Sequence, residues 1–107
     1  MATQKDYLHF ILGQLSLLEE ILFRSMMGEY MLYYRGKLAA YLCDNRLLVK
    51  ILPSTLRLLP DAPKEPPYPG AKAMLLVEKV DDREFLKTLF EEMYPELPEP
   101  KRKKESK

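Results

Sequence analysis

The chain has 107 residues, 47% hydrophobic and 31% charged, which allows one domain with a single core and is ordinary for a globular protein. No apolar run approaches the roughly 20 residues of a membrane helix, and a single cysteine excludes an internal disulfide framework. Residues 101–107 carry five basic and one acidic side chain; the first 100 carry 12 basic and 15 acidic, so the body is mildly acidic and offers no support for a basic nucleic-acid-binding face.

In chain order, the opening segment predicts a helix. Thr3 followed by Asp6 approximates a capping box, and Tyr7, Leu8, Ile11, Leu15 and Leu18 recur at helical spacing on one side. Ile21 to Arg24 reads as a short first strand. From Arg24 to Lys50 the pattern turns to period two, the signature of strands with two unlike faces. Tyr30, Leu32 and Tyr34 alternate with Met31 and Tyr33. Arg35-Gly36-Lys37 makes a turn in which Gly36 accepts positive φ. Leu38 to Cys43 forms the next strand, Asp44-Asn45 a second tight turn, and Arg46 to Ile51 a further strand.

Pro53 to Leu59 predicts a short helix with proline in its first turn. The ten residues DAPKEPPYPG hold four prolines and a glycine, a composition that predicts a stiff extended loop without regular structure. Ala71 to Lys79 returns to strand character, apolar enough to be covered on both faces. The last helix is capped by Asp81 or Asp82 and carries the stripe Phe85, Leu86, Leu89, Phe90, Met93. Glu84 to Thr88 offers no charge pair, so packing should stabilise it. Pro95 stops it. The expected fold is α+β: a two-layer domain over 1–95 in which an antiparallel sheet of about five strands is packed by an N-terminal, a short middle and a C-terminal helix. Residues 96–107 read as a disordered basic tail. The start of the chain has no secretory pattern, and the expected location is the cytoplasm.

The ordered set Arg24-x-Met26-Met27-Gly28, the strand Tyr30–Arg35, Gly36-Lys37 and the segment DNRLLVK ending at Lys50 resembles the N-terminal domain of the TfoX/Sxy family, regulators of bacterial competence. The likeness spans about residues 5 to 94 and includes Tyr68 in the proline-rich loop and the strand with Met74. Met27 and Glu29 depart from it, standing where phenylalanine and a second glycine are common. The resemblance implies a stand-alone, cytoplasmic version of that domain, linked to transcriptional control through a cyclic-AMP receptor-type activator, with Arg24, Met26, Gly28, Tyr30, Gly36 and Lys50 as motif positions.

The residues themselves declare no chemistry. Neither GxGxxG nor GxxxxGK[ST] occurs, so Gly28 reads as a backbone requirement. Arg24 and Lys50 could bind an anion or a partner carboxylate, although an internal pair with Glu29 or Asp44 is the simpler use. His9 reads as a helix-face residue without a role, Cys43 as a small buried hydrophobe, and the acidic pairs as cap and solvated face. No metal, cofactor or catalytic centre is expected. Tyr30, Tyr33, Tyr34 and Tyr41 suggest an aromatic sheet face that would serve a homodimer or another protein partner. Two alternatives are direct nucleic-acid binding through residues 101–107 and a ligand site between the proline-rich loop and the sheet, marked by a deep pocket gathering Arg24, Tyr68 and Lys50.

Overall fold

The structure, a computed structural model, describes residues 3–99. Helix α1 (Lys5–Gln14) leads into a meander of four strands, β1 (Ile21–Met26), β2 (Glu29–Tyr34), β3 (Lys37–Cys43) and β4 (Arg46–Val49). Three two-residue turns join them, and all six turn residues have positive φ: Met27 at 53° with Gly28 at 86°, Arg35 at 52° with Gly36 at 85°, Asp44 at 55° with Asn45 at 56°. That is the type I′ geometry, whose twist matches that of the strands it connects. The turns expected at Gly36 and Asp44-Asn45 are therefore present, and Met27-Gly28 makes a third of the same kind.

After β4 the chain forms α2 (Pro53–Leu58), the edge strand β5 (Lys64–Glu65), β6 (Met74–Leu76) and α3 (Arg83–Met93), closing with a 3₁₀ turn at Tyr94–Glu96. The sheet order is β1-β2-β3-β4-β6-β5, with antiparallel neighbours throughout. The α+β architecture is as expected, with six strands rather than about five. The extra strand lies in the proline-rich segment expected to have no regular structure. Lys64 and Glu65 are the two residues between Pro63 and Pro66 that can still join a ladder, and they pair with Leu75 and Met74.

The helices cover one face. Leu8 and Ile11 of α1, Leu32, Leu42, Leu47 and Val49 of the meander, and Leu86, Leu89, Phe90 and Met93 of α3 form a continuous buried cluster. Alternation in β4 sends Leu48 to the opposite face, where it joins Cys43 and Met74 in a smaller cluster bordered by Tyr41 and Leu76. A bulge in β3 keeps the core face intact. Leu32 pairs with Ala40 but Tyr33 pairs with Leu38, so Ala39 is the extra residue, and Ala39, Ala40 and Leu42 all reach the same core.

Several local expectations are corrected by long-range contacts. Helix α1 ends at Gln14, and Leu15 and Leu18 are buried from the turns that follow. Thr3 is not its cap. Gln4 occupies that position, and the buried Thr3 hydroxyl donates to the Leu42 carbonyl at 3.0 Å while accepting from the Asn45 N–H at 3.2 Å. The cap of α3, expected at Asp81 or Asp82, is present at Asp82, which accepts from the Phe85 N–H at 3.0 Å. That helix carries one exposed i,i+4 pair, Lys87 to Glu91 at 3.0 Å, worth a few tenths of a kcal/mol; its four buried apolar side chains matter far more. The packed body also continues past residue 95. Leu97 is buried, Glu96 accepts from the Ser54 N–H and hydroxyl at 3.0 and 2.7 Å, and Glu99 lies 3.6 Å from the Lys37 ammonium. The basic segment 101–107 lies outside the described residues.

Candidate functional site

The helices pack on one face of the sheet, and the opposite face carries the smaller cluster of Cys43, Leu48 and Met74. Its covering is partial. The proline-rich loop crosses it beside β4 and β6, and Arg46 at the start of β4 ties that loop down. The Arg46 guanidinium meets the Glu65 carboxylate at 2.7 Å and donates to the carbonyls of Pro66 and Pro67 at 3.4 and 3.3 Å, while its Nε donates to the Cys43 carbonyl at 3.1 Å. One planar fork thus joins a hairpin turn to a loop about 20 residues away. On the other side, Thr55 in α2 accepts from the Leu52 N–H at 2.7 Å and donates to the Lys50 carbonyl at 2.7 Å, which holds the end of β4.

Between these two anchors lies a groove of about 400 Å³, lined by Tyr41, Lys50, Pro67, Tyr68, Lys72 and Met74 among others. Its floor is apolar and aromatic, and two ammonium groups border it. Burial pushes the Tyr41 phenol above its ordinary pKa, and the nearby Tyr68, Cys43 and Tyr33 add to the shift; Tyr41 is therefore a hydrogen-bond donor at neutral pH. Burial also pushes the Cys43 thiol up, to about 12, and the nearby Glu29 carboxylate reinforces it. Cys43 is consequently a protonated, inert side chain rather than a nucleophile. The other flank of the loop has an acidic notch formed by Glu29, Asp44 and Glu65 around Arg46.

The six motif positions do not converge. Gly28 and Gly36 serve turn geometry, and the Gly28 carbonyl accepts from the Thr3 N–H at 2.9 Å. Tyr30 packs on the helix side, edge-to-face with Phe23 at 5.8 Å. Arg24 and Met26 are exposed on β1, and Lys50 reaches the groove. Arg24 is absent from the groove: three strand spacings separate β1 from β4, about 14 Å. Of the three residues whose gathering would mark a ligand site, Tyr68 and Lys50 line the groove and Arg24 does not. Among the described residues neither Arg24 nor Lys50 forms an ion pair, so the internal pairing with Glu29 or Asp44 does not occur.

The tyrosines divide likewise. Tyr34 is buried under the helices, edge-to-face with Phe90 at 6.3 Å and Tyr94 at 5.5 Å. Tyr30 shares that side, while Tyr41 borders the opposite face. The Arg46 fork carries no signal in the sequence, because its acceptors, the Glu65 carboxylate and the Pro66 and Pro67 carbonyls, lie 19 to 21 residues away and are brought near only by folding. His9 is exposed on α1. Among the described residues no group of three or more His, Cys, Asp or Glu side chains is placed to hold a metal, and no helix is long and apolar enough to cross a membrane.

Fold and surface together define a small α+β domain with one helix-covered face and one face covered only in part. The chain is 31% identical over 105 residues to the "Uncharacterized 12.7 kDa protein in trpE 5'region" of Spirochaeta aurantia, an alignment covering 97% of this chain and 91% of that protein. It belongs to the same family as that spirochaete protein. No protein-family model and no solved structure matches it.

Proposed function

We propose that this protein is a non-enzymatic, TfoX N-terminal-like interaction domain of the cytoplasm that acts as a homodimer and contributes to transcription or competence control through a protein partner. The observation that carries the reading is the helix-free side of the sheet, with exposed Arg24 and Met26 at one end and the Lys50–Tyr68 groove at the other. Exposed apolar groups rimmed by charge favour a protein partner. The ordered motif from Arg24 to Lys50 supplies the regulatory part of the proposal.

Affinity capture from native lysate with the wild-type chain and an Arg24→Glu, Lys50→Glu variant tests it. A transcription component should be recovered by the wild type and lost by the variant. Failure to recover any such component with the wild type overturns the regulatory role.

The groove supports a second reading, a small-ligand site for an anionic aromatic molecule, with Lys50 and Lys72 meeting the charge and Tyr41 and Tyr68 the ring. Titration with such compounds monitored by amide chemical shifts decides between the two. Shifts confined to the groove favour the ligand.

A further inference from the structure

The two edges of the sheet are treated differently. The β5 edge is two residues long and bounded by Pro63 and Pro66, which leaves little backbone for another strand to join. The β1 edge has none of that protection. It runs six residues, ILFRSM, without proline, glycine, lysine or bulge, in unbroken register with β2 from Ile21↔Tyr34 to Met26↔Glu29. Leu22 is 68% exposed and Phe23 45%, and Met27 at the adjoining turn is 95% exposed.

The register also shows which backbone groups are unused. A two-residue hairpin closes on a hydrogen-bonded pair, here Met26 and Glu29, and the Arg35 N–H donates to the Glu20 carbonyl at 3.0 Å at the other end of the ladder. Residues 20, 22, 24 and 26 therefore direct their N–H and C=O groups toward β2. Those of Ile21, Phe23 and Ser25 point out of the sheet.

We infer that β1 is the seam of a homodimer, pairing antiparallel with β1 of a second copy around a two-fold axis at Phe23 to make one continuous twelve-stranded sheet from two six-stranded ones. Outward groups must meet outward groups, so two registers give the greatest overlap, one centred on Phe23 and one on Arg24. Centring on Arg24 sets two guanidinium groups directly opposite each other, which is unfavourable. Centring on Phe23 places Arg24 opposite Leu22 of the second copy, with that copy's Glu20 one diagonal away, and Ile21 opposite Ser25. Arg24 and Glu20 are both without an ion-pair partner among the described residues, and this register offers each the other. The two Phe23 rings meet across the axis on the helix side, each already beside a Tyr30.

This inference deepens the homodimer part of the proposed function but rests on β1 geometry alone, so a failed lysate capture leaves it standing. The test is light scattering on the full chain at submillimolar concentration. The wild type should show twice the 12.6 kDa chain mass. Ser25→Pro removes an outward N–H without touching the β1–β2 ladder and should give the single-chain mass with unchanged circular dichroism. Mild oxidation should cross-link Phe23→Cys, whose Cα atoms would lie about 5.5 Å apart, and leave Arg24→Cys uncross-linked. A monomeric wild type, a dimer that survives Ser25→Pro, or cross-linking at residue 24 rather than 23 overturns the inference.

Discussion

The Arg46 guanidinium and the Glu65 carboxylate lie 2.7 Å apart, joining the first residue of β4 to the last residue of β5. Because Arg46 also donates to two loop carbonyls, the pair sets the position of Tyr68 and with it one wall of the groove. The outer strand and the groove wall therefore share one anchor.

Arg46→Met should cost about 1–2 kcal/mol, the scale of partly exposed, charge-assisted hydrogen bonds. The Leu76 N–H, which donates to the Pro63 carbonyl at 2.9 Å, should exchange faster with solvent. Denaturant unfolding and amide exchange read the two effects. Unchanged protection at Leu76 would show that the loop holds its place without the fork.

Thr3→Val keeps the side-chain shape but leaves the Leu42 carbonyl and the Asn45 N–H without their hydroxyl partner. A loss of about 1–3 kcal/mol is expected for unsatisfied buried groups. Urea midpoints of the two proteins give the difference directly, and equal midpoints would remove this hydroxyl from the folded-state account.

Glu96 has its carboxyl pKa lowered by the Ser54 hydroxyl and then by the Ser54 N–H. A depressed folded-state value stabilises the fold above the unfolded carboxyl's ordinary pKa, and the contribution disappears as pH falls through the folded one. The stability gap between wild type and Glu96→Gln should thus be full at neutral pH and close in acid. Unfolding curves measured across that range test it; a gap independent of pH contradicts the mechanism.

Cys43 is fully buried, with its thiol pushed up to about 12. Iodoacetamide at mildly alkaline pH should leave the folded protein unmodified and label it quickly in denaturant. Mass spectrometry over a time course distinguishes the states. Rapid labelling of the folded chain would mean that the second face opens readily.

Arg57 and Glu92 illustrate how contact and sequence distance diverge: 35 residues apart, they pair at 2.9 Å where α2 meets α3. Much of the fold was legible without such knowledge. Gly36 and Asp44-Asn45 marked turns because few residues accept positive φ, and the Phe85-to-Met93 stripe marked α3 because its period matches one helix face. The groove was legible only in part: Tyr68 and Lys50, named as marks of an alternative ligand site, both line it, but Arg24 stays on the far strand.

The amino-acid order by itself determined the hairpins, the apolar faces and the last helix, since each depends on backbone preferences and periodicity within a few neighbouring residues. Tertiary structure alone decided that Lys64–Glu65 would form a strand, that Thr3 would bind a hairpin instead of capping a helix, and that Tyr34 would be buried while β1 stayed open. Those outcomes depend on register between distant segments, where a one-residue slip exchanges the two faces of a strand and no local pattern records which alignment wins.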